Sequence, residues 1–240
     1  MKKLQKSAEL CWLFGVIFVA LGVAICGKAN LGVSMIAAPA FVISEALVNI
    51  SGFFTVGVTE YLIQGLLLII LCINVRKFKW TYLLAFAVAV IYGYVLNLFI
   101  WIFDFVSIIA LWQRWFMLIL GDVITAFGVA CFFRTYLPLQ VYELYVSELC
   151  DRYKLKTSAV KWGFDISLLI VSVVLALIIF GDAGNIKFSE LFSTAYHSIG
   201  LGTVITALIN SPLIALMGKA VDIFLGTEPL FPKLKNALEK

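Results

Sequence analysis

Long apolar runs alternate with short polar breaks along nearly the whole chain. Leu10–Cys26 is an uncharged run behind a short basic start that holds Lys2, Lys3 and Lys6. Phe53–Val75 carries Glu60 and Gln64, and Arg76, Lys77 and Lys79 end it. Trp80–Phe103 has no charge across 24 residues. Trp115–Phe133 carries Asp122, Trp162–Phe180 carries Asp165, and Ser198–Met217 is the last run. Each approaches or exceeds the ~20 apolar residues that a helix needs to cross a bilayer, which predicts six spans. The basic start and first run together resemble a signal peptide, but the repeat described next makes that run half of a pair, so it reads as a retained first helix.

Two further runs are shorter and mixed. Met35–Ile50 is interrupted by Pro39 and holds Glu45, while Leu137–Cys150 (LPLQVYELYVSELC) has Pro138 at its start and Glu143 and Glu148 within. Fourteen helical residues cover about 21 Å, less than the ~30 Å hydrocarbon core. Both segments are therefore expected to be short or re-entrant helices, whose irregular flanks are tolerated only inside protein or beside a wet cavity.

The two halves repeat. GVIFVALGVAICGKANL, from Gly15, aligns without a gap on GDVITAFGVACFFRTYL, from Gly121, at an offset of 106. Six of 17 positions are identical, where composition alone would give roughly two. Lys28 pairs with Arg134 at the same offset. The fold class expected is all-α: a polytopic transmembrane bundle of two internal repeats, about 10–103 and 115–217, within a single membrane domain 1–240 that ends in a cytoplasmic tail, 219–240.

Composition agrees: 63% hydrophobic residues, 13% charged, and a mean hydropathy of +1.06 mark an integral membrane protein. Charge distribution then orients it. With six spans and both termini inside, 15 of the 18 basic residues fall in the cytoplasm, leaving Lys28, Arg114 and Lys187 outside. Eight spans with parallel repeats would give 12 and 6, so the positive-inside rule prefers six. Three spans per copy is odd, so the second copy is inverted, a layout shared by many secondary transporters.

KANLGVSMIAAPAFVIS after the Gly-rich first helix, KWGFDISLLIVSVVLALIIFG around Lys161 and Asp165, and GLGTVITALINSP from Gly200 resemble the YczE/YyaS/YitT-like group of bacterial membrane proteins. The resemblance covers roughly Leu10–Met217 and implies a multi-pass protein of the bacterial inner membrane. Asn97 stands where the resemblance would place an acidic residue, and His197 lies in a connector longer than it implies.

No Ser-His-Asp or Cys-His set, phosphate loop or metal-ligand spacing occurs, so no enzyme, cofactor or nucleic-acid role is expected. The five cysteines, Cys11, Cys26, Cys72, Cys131 and Cys150, have no CxxC spacing and read as packing residues. Intramembrane carboxyls are costly and usually face the bundle interior, which makes Glu60, Asp122 and Asp165 candidates for ion coupling. For Glu60 and Asp165 the competing reading is stabilisation of a helix start. Lys28, Asn30, Ser34, Arg134 and Glu143 flank or enter the two short helices, whose N-termini suit an anion, and are the candidate substrate-binding set. Snorkelling of Lys28 and Arg134 to headgroups, or an Arg134–Glu143 ion pair, are the alternatives. Gly15, Gly22, Gly121 and Gly128, with Ala20 and Ala24, suit a close crossing of the two first helices.

Two functions compete. One is a small secondary transporter or channel for a small polar solute, anions included, bound between the repeats. The other is a non-transporting partner, a capture subunit or scaffold, or a homodimer, docking through an exposed Ala/Gly groove.

Overall fold

The computed structural model describes residues 7–76, 78–181, 193–224, 229–232 and 235. Among them run α1 (Ala8–Ala29), α2 (Ala38–Leu47), α3 (Val56–Val75), α4 (Trp80–Asp104), α5 (Leu111–Phe132), α6 (Val141–Tyr153), α7 (Thr157–Phe180) and α8 (Leu201–Phe224). Six of them, all but α2 and α6, are long and apolar enough to cross a membrane. The 10 residues of α2 and the 13 of α6 cover only about 15 and 20 Å. The protein is a multi-pass helical membrane bundle of six spans and two short helices.

Local signals set the helix ends. The Ser7 hydroxyl accepts from Leu10 N at 3.3 Å and caps α1. Pro39 sits in the first turn of α2, where its missing N–H costs nothing. Asn30, Arg76, Lys154 and Gly181 close α1, α3, α6 and α7 in the left-handed conformation. Two boundaries differ from the sequence reading. Helix α5 begins at Leu111, ahead of the run that starts at Trp115, while α7 begins at Thr157, ahead of the run that starts at Trp162, and so holds Lys161 in a buried helical position. Helix α8 continues past residue 219 to Phe224, so the first residues of the expected tail are helical. Lys2, Lys3, Lys6, Lys77, Lys187, Lys233, Lys240 and much of the tail lie outside the described residues.

At the centre α1 and α5 cross antiparallel. A Cβ on Gly22 would lie 2.5 Å from the carbonyl oxygen of Gly121, and one on Gly128 would lie 3.1 Å from that of Gly15. These two contacts exchange when each residue is replaced by its repeat mate, as a pseudo-twofold axis between α1 and α5 requires. The rest of the bundle follows the same exchange. Helix α4 packs on α1 and α8 on α5, while α2 packs on α3 and α7 and α6 packs on α7 and α3. Thus α2 enters from the end of the bundle where α1 finishes, and α6 enters from the opposite end, where α5 finishes. Ala20 and Ala24 are buried in the central core with Val16, Val23, Leu96 and Phe132.

Candidate functional site

The starts of the two short helices meet at that axis around a small cavity. The residues before and within α2 contribute Ser34, Ile36 and Ala37, and those at the start of α6 contribute Gln140, Tyr142 and Glu143. These are repeat mates at the offset of 106, one for one. The crossing helices add two more mated pairs, Val19 with Thr125 and Val23 with Val129. Glu60 of α3, Tyr92 of α4 and Asn210 of α8 complete the wall. The space open to the centre of a water molecule is about 20 Å³, room for one water.

The symmetry of position is not a symmetry of chemistry. The first copy offers small or apolar side chains at the places where the second offers an amide, a phenol and a carboxyl. Glu60, Tyr142, Glu143, Gln140 and Asn210 are 1, 2, 3, 2 and 6% exposed. Each presents a buried polar atom with no hydrogen-bond partner: Glu60 Oε2, Tyr142 Oη, Glu143 Oε2, Gln140 Nε2 and Asn210 Oδ1. The Tyr142 hydroxyl lies beside the Glu60 carboxyl without forming a hydrogen bond of good geometry. Gln64 of α3 holds the start of α6 in place, its Oε1 accepting from Val141 N at 3.2 Å. Behind Glu143, Lys161 Nζ pairs with Asp165 Oδ1 at 3.4 Å, and both side chains are almost wholly buried. Lys161 also acts on the Glu143 carboxyl through its charge. Unmet buried polar atoms are costly, and clusters of them in native proteins call for an explanation in function or in an occupant.

The predicted site residues divide. Glu60, Ser34 and Glu143 line the cavity, and Asp165 stands behind it, paired with Lys161. The helix-start reading of Glu60 and Asp165 does not describe them: Glu60 is the fifth residue of α3, in its second turn, Asp165 is the ninth of α7, in its third, and both are buried in the bundle. Asp122 is buried near Cys26 at the α1–α5 crossing, both carboxyl oxygens unpartnered, outside the cavity wall. Asn30 is exposed, and its carbonyl accepts from Ala195 N.

The anion clasp of Lys28 and Arg134 requires correction. Because α1 and α5 are antiparallel, the two cations lie at opposite ends of a pair about 33 Å long. Lys28 Nζ reaches the carbonyl of Asp104 at 3.5 Å. Arg134 is spent on Asp222, with Nε to Oδ1 at 2.5 Å and Nη2 to Oδ2 at 2.8 Å, not on Glu143. That two-point bond holds its guanidinium pKa above the ordinary value. What the repeat brings together is acid-rich, not basic.

Tyr92, Gln140, Tyr142, Lys161 and Asn210 escaped the sequence reading. Extending the offset of 106 from Ser34 through the short helices reaches Gln140, Tyr142 and Glu143 directly. Lys161 was hidden by its neighbours Arg152, Lys154 and Lys156, and no sequence signal separates Tyr92 from the other tyrosines of the chain. Among the described residues no group of three or more His, Cys, Asp or Glu side chains could hold a metal ion.

Contacts join the elements at either end of the bundle. At one end His197 Nδ1 is 2.8 Å from Glu45 of α2, and Phe180 stacks on the imidazole at 3.5 Å between ring centres. There the backbone bonds Val33 N to Ser198 O and Gly202 N to Leu31 O tie the α2 loop to the start of α8. At the other end the Tyr136 hydroxyl donates to Glu9, Trp12 Nε1 donates to Pro138 O, and Lys79 pairs with Glu148.

Residues 6–219 match the family DUF6198, described as a family of unknown function. No curated protein and no solved structure gives a match.

Proposed function

The chain belongs to the family DUF6198, and from that premise we propose that it is a small secondary transporter of the bacterial cell membrane, binding a small polar solute between two inverted repeats. One observation carries the reading: five mated pairs and three further residues enclose unpartnered polar atoms on the axis where both short helices begin. Transporters built from inverted repeats place their sites at this position, near the bilayer midplane, with discontinuous helices aimed at the substrate. In this reading the present conformation is a solute-free stage, with room for one water, and the cavity widens as the repeats move. Alternating access then consists of the α1–α5 crossing acting as a pivot. The His197–Glu45 contact opens on one face and the Glu9–Tyr136 and Arg134–Asp222 contacts open on the other. Both termini lie on the cytoplasmic side in this reading, in keeping with the basic residues.

The acid-rich wall argues against a free anion as solute. The partner reading needed an exposed Ala/Gly groove, and Ala20 and Ala24 are 0 and 2% exposed. A thermal-shift screen of small polar solutes on the purified protein, followed by uptake of any stabilising solute into liposomes, tests the proposal. Uptake by the wild type and by Gly163→Ala, but not by Glu143→Gln, is the expected pattern. A solute that stabilises the wild type through Glu143 yet never enters the liposomes would return the partner reading.

A further inference from the structure

We infer that the cavity binds one monovalent cation of the size of Na⁺, held by oxygen atoms of Glu60, Glu143, Tyr142 and Asn210. Three observations converge. The first is charge. Glu60, Glu143 and Asp165 bring three negative charges when ionised, and Lys161 returns one positive. The two short-helix starts, α2 and α6, return about half a charge each. The remaining excess is about one negative charge, which suits one monovalent ion and is too little for a divalent one. The second is the donor set. The four named atoms Glu60 Oε2, Glu143 Oε2, Tyr142 Oη and Asn210 Oδ1 are all oxygens and all buried, and none makes a hydrogen bond of good geometry, the Tyr142 hydroxyl only lying beside the Glu60 carboxyl. Hard cations take oxygen ligands, and a proton alone would leave most of these atoms unmet. The third is space. About 20 Å³ admits one water-sized particle, which fits Na⁺ or Li⁺ and excludes an organic ammonium in this conformation.

The inference rests on the same cavity as the transport reading and names its coupling ion. Binding is measured without transport, so the two can fail separately. The full chain in detergent or nanodiscs is unfolded thermally in a NaCl series, with ionic strength held constant by choline chloride and with LiCl and KCl in parallel. The midpoint is expected to rise with NaCl and saturate, by about 3 °C or more, with Li⁺ following Na⁺ and K⁺ without effect. Glu60→Gln and Glu143→Gln remove the response while circular dichroism stays helical. Tyr142→Phe, which keeps the fold's volume, moves the half-saturating Na⁺ concentration up by about tenfold. A wild-type midpoint that ignores Na⁺ up to about 0.5 M overturns the inference, as does one that answers K⁺ and Na⁺ alike. So does a midpoint that moves with pH but equally in Na⁺ and choline, which assigns the site to a proton. Na⁺ binding with no uptake of any solute leaves this inference standing and removes the transport reading.

Discussion

Replacing Gly22 by alanine drives a methyl group into the neighbouring helix. Its Cβ would stand 2.5 Å from Gly121 O, 2.6 Å from Thr125 N and 2.2 Å from Thr125 Oγ1. The hydroxyl can rotate away from its 2.8 Å bond to Gly121 O, but the two backbone atoms cannot. They fall roughly 1 Å inside ordinary van der Waals contact, so α1 and α5 must separate along the line where they pack most closely. Overpacking of this kind costs about 1–3 kcal/mol. An alanine also stiffens the helix, by about 0.5–1 kcal/mol in the opposite direction. Gly163→Ala supplies the correction, because a Cβ there meets nothing within 4 Å. The expected gap between the two variants, measured by SDS-titration unfolding followed by circular dichroism, is about 1–3 kcal/mol, with Gly163→Ala the more stable. Gly128→Ala, the repeat mate, should cost a similar amount. The double variant should cost less than the two single costs combined, since one separation of the helices relieves both. If Gly22→Ala unfolds within about 0.5 kcal/mol of Gly163→Ala, the close crossing and the axis built on it are refuted.

Three further outcomes are expected. Cysteines placed at Gly52 and Lys154, in a background without the five native cysteines, should react with an impermeant maleimide from opposite sides of sealed vesicles, because α2 and α6 enter from opposite ends; labelling from one side would contradict the inverted arrangement. Lys161→Met leaves Asp165 and Glu143 buried without their cation and should cost about 3–5 kcal/mol, most of it recovered in Lys161→Met with Asp165→Leu; equal stability of the single variant and wild type would show that the pair is not buried. Asn97 Oδ1 accepts from Gly57 N at 2.8 Å and its Nδ2 donates to Thr55 Oγ1, so it caps α3, and Asn97→Ala should cost about 1 kcal/mol by the same unfolding assay, whereas Asn97→Asp, which keeps the acceptor, should lose less.

Hydropathy and charge, read along the chain, already favour six crossing helices, two short ones and inverted copies over eight spans with parallel repeats. Each of these follows from local quantities: the length of an apolar run against the bilayer thickness, and the distribution of basic residues among loops. The offset of 106 likewise places Gly15 with Gly121 and Gly22 with Gly128 before any coordinate is known. Tertiary structure decides which polar residues share a space. Lys28 and Arg134 are mates in sequence, yet an inverted repeat sends mates near helix ends to opposite faces of the membrane, so they cannot meet. Mates close to the axis do meet, which is why Ser34 and Gln140, or Ala37 and Glu143, come together while the two cations do not. Distance from the axis is a property of the packed bundle alone. It is also what turns Lys161 from a loop charge into a buried counterion, and Glu60 from a residue near a helix start into the wall of a cavity.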